Sequence, residues 1–287
     1  MTLRFCFALV VCLCSLLANG APPAVVDALQ APAWRVRGET TEPLYPGMEI
    51  ANGDRLKTGN GSRVYLKLAE GSTVKFGESA QMTFHTRSKK PESFFRGALD
   101  VAAGAFRFTT AAAVKLRHRE LSIRVGTATI GIRGTDVWGR ARADEDLVML
   151  IEGQVEVKAP DGTLFDLHEP MTTYLAPRAR APQSLVMATP AEFAARAAET
   201  EIAPAEGALR RRGAWSLRLG DVADEGVALA IYDRARTAGF PVRIRPLAGD
   251  GGWTYEVLLS GFADKARAER AADGVRRTLG LDVLPTL

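Results

Sequence analysis

From Trp34 to Tyr174 the chain runs in short stretches that are apolar at every second residue, separated by Gly, Asn and Asp turns. Arg63-Val64-Tyr65-Leu66-Lys67-Leu68 alternates, Glu70-Gly71 turns the chain, and Thr73-Val74-Lys75-Phe76 alternates again. This is the pattern of strand, turn and strand with one face buried. Ala105-Phe106-Arg107-Phe108, Leu121-Ser122-Ile123-Arg124-Val125 and Gln154-Val155-Glu156-Val157-Lys158 repeat it, with Glu152-Gly153 and Asp161-Gly162 as further turn signals. No stretch is long and periodic at helical spacing. The region 34–176 is therefore expected to be an all-β sandwich, roll or short solenoid.

Composition shifts at Pro177 to Pro, Ala and Arg, as expected of a linker over 177–212 with little to bury. One helix should interrupt it, because Thr189, Pro190 and Glu192 form a capping box with proline at the first helical position, and it should run to about Glu201. After Arg212 the order becomes strand, helix, strand, strand, helix, strand. Trp215 to Leu219 alternates, Asp224 to Ala238 carries Val227, Ile231 and Ala235 on one stripe, and Pro241 to Pro246 alternates. Tyr255 to Leu259 follows the turn Gly249-Asp250-Gly251-Gly252, and Ala263 to Leu279 is helical up to Gly280. Residues 213–287 thus read as a small α/β domain, a split βαβ of ferredoxin-like type with both helices on one sheet face.

The N-terminus adds an address. Arg4 precedes the apolar run Phe5 to Leu17 and then Ala18-Asn19-Gly20, which reads as a secretory signal peptide, residues 1–20, cut after Gly20. A transmembrane anchor is the competing reading, but the run falls short of the ~20 apolar residues that cross a bilayer core. Cys6, Cys12 and Cys14 all lie within it, so cleavage leaves no thiol for a disulfide, a zinc site or a nucleophile. Lipid attachment at Cys12 or Cys14 would need a small residue before it, and Val11 and Leu13 stand there. No later stretch approaches spanning length, so the expected location is periplasmic, with no transmembrane segment after cleavage.

Charge and motifs mostly exclude. Lys+Arg 37 against Asp+Glu 33 gives +4, too little and too evenly spread to argue for nucleic acid. Gly126-Thr127-Ala128-Thr129-Ile130-Gly131-Ile132-Arg133-Gly134-Thr135 lacks the Lys-Ser/Thr that a phosphate loop needs, and its glycines read as close packing between strands, with Asp136 near enough to pair with Arg133 or Arg140. His85, His118 and His168 are too scattered to gather a metal, and Asp144-Glu145-Asp146 reads as a solvated turn. No nucleophile elbow, carboxylate pair or zinc-protease helix is present, so neither catalytic residues, metal ligands nor a cofactor are assigned, and a non-enzymatic binding protein is expected.

Gly53-Asp54-Arg55-Leu56-Lys57-Thr58-Gly59, Ser62-Arg63-Val64, Leu68-Ala69-Glu70-Gly71-Ser72-Thr73-Val74 and Val125 to Asp136 together resemble the FecR periplasmic domain. That resemblance implies an all-β interaction module. Trp215-Ser216-Leu217-Arg218-Leu219-Gly220, with Arg218 where glutamine is usual, and Tyr255 to Phe262 are similar to the SPOR domain, the sporulation-related repeat. The resemblance implies that the sheet face left open by the helices binds peptidoglycan glycan strands lacking stem peptides. Strand alternation sends Leu217, Leu219, Val242, Ile244, Tyr255, Val257 and Leu259 toward the helices. Ser216, Arg218, Arg243, Arg245, Glu256 and Leu258 then face outward as the candidate site, with Trp253 at the rim to stack on a sugar. The partners implied are glycan strands and an unidentified envelope protein or ligand for the β-domain. A ligand-sensing or scaffold role in an envelope complex, without glycan binding, stands as the alternative.

The peptidase reads small residues at Ala18 and Gly20, so N-terminal sequencing of protein from the periplasmic fraction should begin at Ala21. An intact Met1 in the membrane pellet would replace cleavage by anchoring.

Overall fold

The computed structural model describes residues 22–86, 94–111, 118–132, 134–178, 180–204 and 206–287; the signal-peptide assignment and Arg133 lie outside them. The first strands are β1 (Ala24–Gln30), β2 (Ala33–Arg37), β3 (Thr40–Pro43), β4 (Glu49–Ile50), β5 (Arg55–Thr58), β6 (Arg63–Leu68), β7 (Thr73–Phe76), β8 (Gln81–Thr86) and β9 (Phe94–Thr109). They continue with β10 (His118–Val125), β11 (Ala128–Ile132), β12 (Asp136–Ala141), β13 (Glu145–Glu152), β14 (Val155–Lys158), β15 (Leu164–Leu167), β16 (Thr172–Pro177) and β17 (Gln183–Met187).

These strands form two layers. One runs β1-β6-β7-β9-β12-β13-β16-β17. The other runs β3-β2-β5-β8-β9-β10-β11-β14-β15. Spatial order follows chain order while the chain changes layer every few strands, so the domain is a sandwich wound like a short solenoid. All of these pairings are antiparallel except β9 with β10. Leu66, Phe76, Phe84, Phe106, Phe108, Ile123, Val148 and Leu150 fill the space between the layers and are essentially sealed from water. The domain begins ten residues earlier than the alternating pattern suggested. β1 pairs with β6 through a register shift between Val26 and Ala28, which breaks the simple alternation that would have marked it as a strand.

β9 belongs to both layers. In its first half Leu99 and Val101 point into the core; in its second half Phe106 and Phe108 do, so the inward parity changes from odd to even. The change falls on Ala102-Ala103-Gly104-Ala105. Gly104 has φ +84, and a Cβ there would lie 2.5 Å from the Cα of Ala80, so only glycine fits the crossing.

The segment 177–212 is not a loose linker. β17 extends the first layer, and α1 (Pro190–Thr200), capped as expected by Thr189 and Glu192, lies over that layer's outer face. Phe193 packs there on a cluster that includes Trp138, Leu147 and Met149, and Arg140 and Arg196 stack on the Trp138 ring at 5.5 and 5.8 Å. Glu199 meets Arg140 at 2.7 Å, and Glu201 receives Lys75 at 2.5 Å, the Tyr65 hydroxyl at 2.8 Å and Arg107 at 3.1 Å. The Ala- and Arg-rich composition that reads as a spacer is here a small-residue helix closely seated on a sheet, with its acids matched to basic groups on strands far away in sequence.

β18 (Leu209–Arg210) pairs with β1 on one side and, through Leu209, with the C-terminal sheet on the other. That second domain comprises β19 (Trp215–Val222), α2 (Glu225–Thr237), β20 (Arg243–Gly249), β21 (Gly252–Phe262), α3 (Lys265–Leu279) and β22 (Leu284–Thr286). Its sheet order is β20-β21-β19-β22, all antiparallel, as a split βαβ requires. Asp224 and Asp264 cap the helices, and Gly280 ends α3 at φ 58. The buried stripe of α2 is Ala228 and Ala235 with Ile231 packed beside them; Val227, expected there, is 48% exposed. The domains touch where the Trp34 indole donates to the Thr237 carbonyl at 3.2 Å and Ala33 N–H donates to Gly239.

Three expectations drawn from motifs change. Gly126 serves a turn at φ +54, where a Cβ would overlap the Asp146 carboxylate, while Gly131 has open space beside it and no close packing. Asp146 is fully buried, bonded by the Thr127 N–H and hydroxyl at 2.8 Å and paired with Arg178 at 2.6 Å, so only Asp144 of the acidic cluster lies exposed in the turn. Asp136 pairs with Arg107, whereas Arg140 turns to Glu199 and Glu145. Apart from Glu145, these partners come from segments distant in sequence, the turn at Thr127, the residue after β16, β9 and α1, beyond what local spacing reveals.

Burial by itself would raise the Glu201 carboxyl, but hydrogen bonds from Lys75 and Tyr65 and the charges of Lys75 and Arg107 hold it below its ordinary value. Its contribution to docking α1 is therefore complete above the ordinary glutamate pKa of about 4.3 and is lost as pH falls through the lower, folded value. Glu201→Gln should cost up to about 1 kcal/mol at pH 7, since the carboxylate is partly open to water and screened, and should reduce the loss of stability on acidification. Urea midpoints of both proteins at pH 7 and in the acid range check this; parallel pH curves would refute it.

Candidate functional site

The helices cover one face of the C-terminal sheet, and alternation puts Leu217, Leu219, Val242, Val257 and Leu259 in that buried interface, as expected. The opposite face is organised in rows across the strands. Leu284, Arg218, Leu258 and Arg243 stand side by side in register. Next to them run Thr286, Ser216 and Ser260 on one side and Asp221, Glu256 and Arg245 on the other.

The expected site residues do not share one environment. Arg243 is exposed and Arg218 and Arg245 are partly so, whereas Ser216, Glu256 and Leu258 are buried although they face outward. The Ser216 hydroxyl is bonded to that of Ser260 at 2.8 Å. Glu256 is clamped between Arg218 at 3.2 Å and Arg245 at 2.6 Å, and Asp221 adds a second contact to Arg218 at 3.2 Å. The three arginines therefore do not act alike as free hydrogen-bond forks: two are oriented by Glu256, and among the described residues Arg243 forms no ion pair. Burial would raise the Glu256 carboxyl, but the hydrogen bonds from Arg245 and Arg218 and their charges keep it below the usual glutamate value, so it stays ionised at neutral pH.

Trp253 sits at the tip of the β20–β21 hairpin, opposite Ala248, and is 57% exposed. By alternation it shares the parity of Tyr255 and Val257, the helix side, so it reaches the open face only around its rim. Sequence reasoning missed Leu284, which is 58% exposed at the end of the central row, because the short β22 carries too few residues to show a period. It also missed Ser260 and Asp221, whose partners are assigned by cross-strand register. Among the described residues no group of acids and histidines is arranged to hold a metal ion, and no helix is long and apolar enough to cross a membrane.

A face of this kind, on a sheet of order β20-β21-β19-β22, is where the family comparison falls. The model described as FecR protein matches residues 54–156, and the model described as SPOR domain matches residues 212–282. The chain carries a FecR domain followed by a SPOR domain. The FecR match lies within the sandwich, and the SPOR match covers β19, α2, β20, β21 and α3 and ends just before β22. SPOR domains bind peptidoglycan, and both families are non-catalytic. No curated protein matches the chain. Two crystal structures of a candidate anti-sigma factor from Parabacteroides distasonis ATCC 8503 align at TM-scores of 0.40 and 0.39 with 13% and 12% identity. They cover 79% and 81% of this chain and 91% and 99% of theirs, a likeness too distant to bear on function.

Removing Glu256 leaves two guanidinium groups facing each other with no anion between them. Glu256→Ala should cost about 1–3 kcal/mol, toward the low end because both arginines reach water. Glu256→Gln, which keeps the shape, should cost less. Urea unfolding followed by Trp fluorescence measures both, and an unchanged midpoint for the alanine variant would remove Glu256 as the organiser of this face.

Proposed function

We propose that this is a periplasmic, non-catalytic envelope protein whose SPOR domain holds peptidoglycan glycan strands on its open sheet face, while its FecR domain serves a second envelope partner. The observation that carries the reading is the row Leu284, Arg218, Leu258 and Arg243 on the face opposite the helices, in which Leu284 and Arg243 are exposed and Arg218 partly so. Glycans offer hydroxyl and acetamido groups along flat apolar ring faces. Arginine side chains suit both, since the guanidinium is a planar fork of donors and the stem is apolar. Exposed Leu284 supplies apolar surface for the sugar rings, whereas Leu258 is buried within the row. Arg218 and Arg245 are fixed by Glu256, so less freedom is lost when they bind. Trp253 stacks on a sugar that passes the hairpin rim. Export and cleavage would leave the whole mature chain on the same side of the inner membrane as this polymer.

The full mature chain should sediment with isolated sacculi. Arg243→Ser combined with Leu284→Asp, two exposed changes on the open face, should weaken binding at least about tenfold, the scale of one or two lost charge-assisted contacts. Arg270→Ser with Arg277→Ser, on exposed positions of α3, should leave it nearly unchanged. Equal weakening in both pairs, suppressed alike by salt, would mean diffuse attraction and would overturn the open-face site.

A further inference from the structure

A recess of about 420 Å³ lies where the two domains meet, and its walls are unusually basic. Arg210 and Arg211 come from β18 and the residue after it, Arg236 from the last turn of α2, and Arg243 from the start of β20. The FecR side supplies Tyr45, 46% exposed, from the loop between β3 and β4. Among the described residues none of the four arginines forms an ion pair, although Arg218 and Arg245 on the adjacent face do. Two of the four are positioned: Arg236 stacks on Tyr232 at 5.2 Å, and the Arg211 stem lies over Gly47, where a Cβ would come within 3.3 Å of its Nε. Arg211, Arg236 and Arg243 bring like charges to one hollow, and an anion placed among them relieves their repulsion while accepting several charge-assisted hydrogen bonds.

The geometry points to this recess as the site for a carboxylate carried by the glycan strand, an inference that rests on the open-face reading above. Arg243 and Ser260 belong both to the open face and to the recess wall, so a polymer lying along the central row leads directly into it. The volume has room for a charged substituent together with the ring that carries it. Sugar rings are neutral, but a muramyl residue freed of its stem peptide carries a lactyl ether ending in a carboxylate, whereas a peptide-bearing one carries a neutral amide there. The recess thus discriminates peptide-free from peptide-bearing strands by charge. Because its walls come from the FecR loop, the connecting strand and the SPOR domain, discrimination requires the two domains to be docked, which gives the FecR domain a part in glycan recognition.

The test compares the full mature chain on peptide-free glycan oligosaccharides in two forms, with lactyl carboxylates free or converted to methylamides, followed by fluorescence anisotropy. The wild type should bind the carboxylate form at least about tenfold more tightly, the scale of two or three screened charge-assisted bonds. Arg211→Ser/Arg236→Ser, away from the open face, should bind both forms alike, at the wild type's affinity for the methylamide. Circular dichroism and the thermal midpoint verify that this variant is folded, and Arg211→Lys/Arg236→Lys should recover part of the preference. Equal binding of both forms by the wild type would overturn the recess and leave the open-face reading intact; failure to bind either form would overturn that reading and this one with it. Tighter wild-type binding to a polyglycerol phosphate chain than to the carboxylate glycan, lost in the same variant, would replace the carboxylate by a phosphate.

Discussion

One strand that is hydrogen-bonded in both layers holds this molecule together. β9 pairs with β8 and β10 in its first half and with β7 and β12 in its second, so the two sheets cannot separate or slide without breaking a continuous backbone. The crossing depends on Gly104, whose left-handed conformation and contact with Ala80 no side chain could share. Once β9 switches layer, Leu99 and Val101 on one side of the crossing and Phe106 and Phe108 on the other all point into the same core. The remaining strands then add outward on both sides in nearly chain order.

That arrangement leaves an outer sheet face and an open edge, and both are used to attach the C-terminal part of the chain. α1 lies on the face with Phe193 against the Trp138 cluster, and its acids meet Lys75, Arg107 and Arg140. β18 then pairs with the edge strand β1, which protects an edge that would otherwise template association, and carries the pairing into the SPOR sheet through Leu209 and Phe262. The connection is thereby ordered, and the Tyr45 loop comes to border the end of the SPOR sheet. The basic recess depends on this docking and would not exist in either domain alone.

On the SPOR face a charge pairing again fixes geometry, on a smaller scale. A buried acid between two arginines contributes little net stability, since desolvation offsets much of the attraction, but it sets the direction of the guanidinium groups. Glu256 thus turns Arg218 and Arg245 into fixed features and leaves Arg243 available beside the recess.

Much of this was legible in the amino-acid order alone. The alternating runs, the glycine turns, the Thr189 capping box and the helix start at Asp224 depend on neighbours a few residues away, and they determined the β-domain, the helices and the direction of the SPOR strands. The outward parity of Arg218, Arg243, Arg245, Glu256 and Leu258 came from the same period. What those residues touch did not: parity says which face a side chain takes, and only cross-strand register says that Glu256 lies between two arginines or that Leu284 stands beside Arg218. β1 was hidden by a bulge, and the segment 177–212 looked like a spacer because its Ala and Arg residues have no partners nearby in sequence. Tertiary structure alone decided the seating of α1, the burial of Asp146 and the meeting of Arg211, Arg236 and Arg243 around one recess. Each depends on strands brought together by pairing across long stretches of chain, and no local pattern encodes which strands those will be.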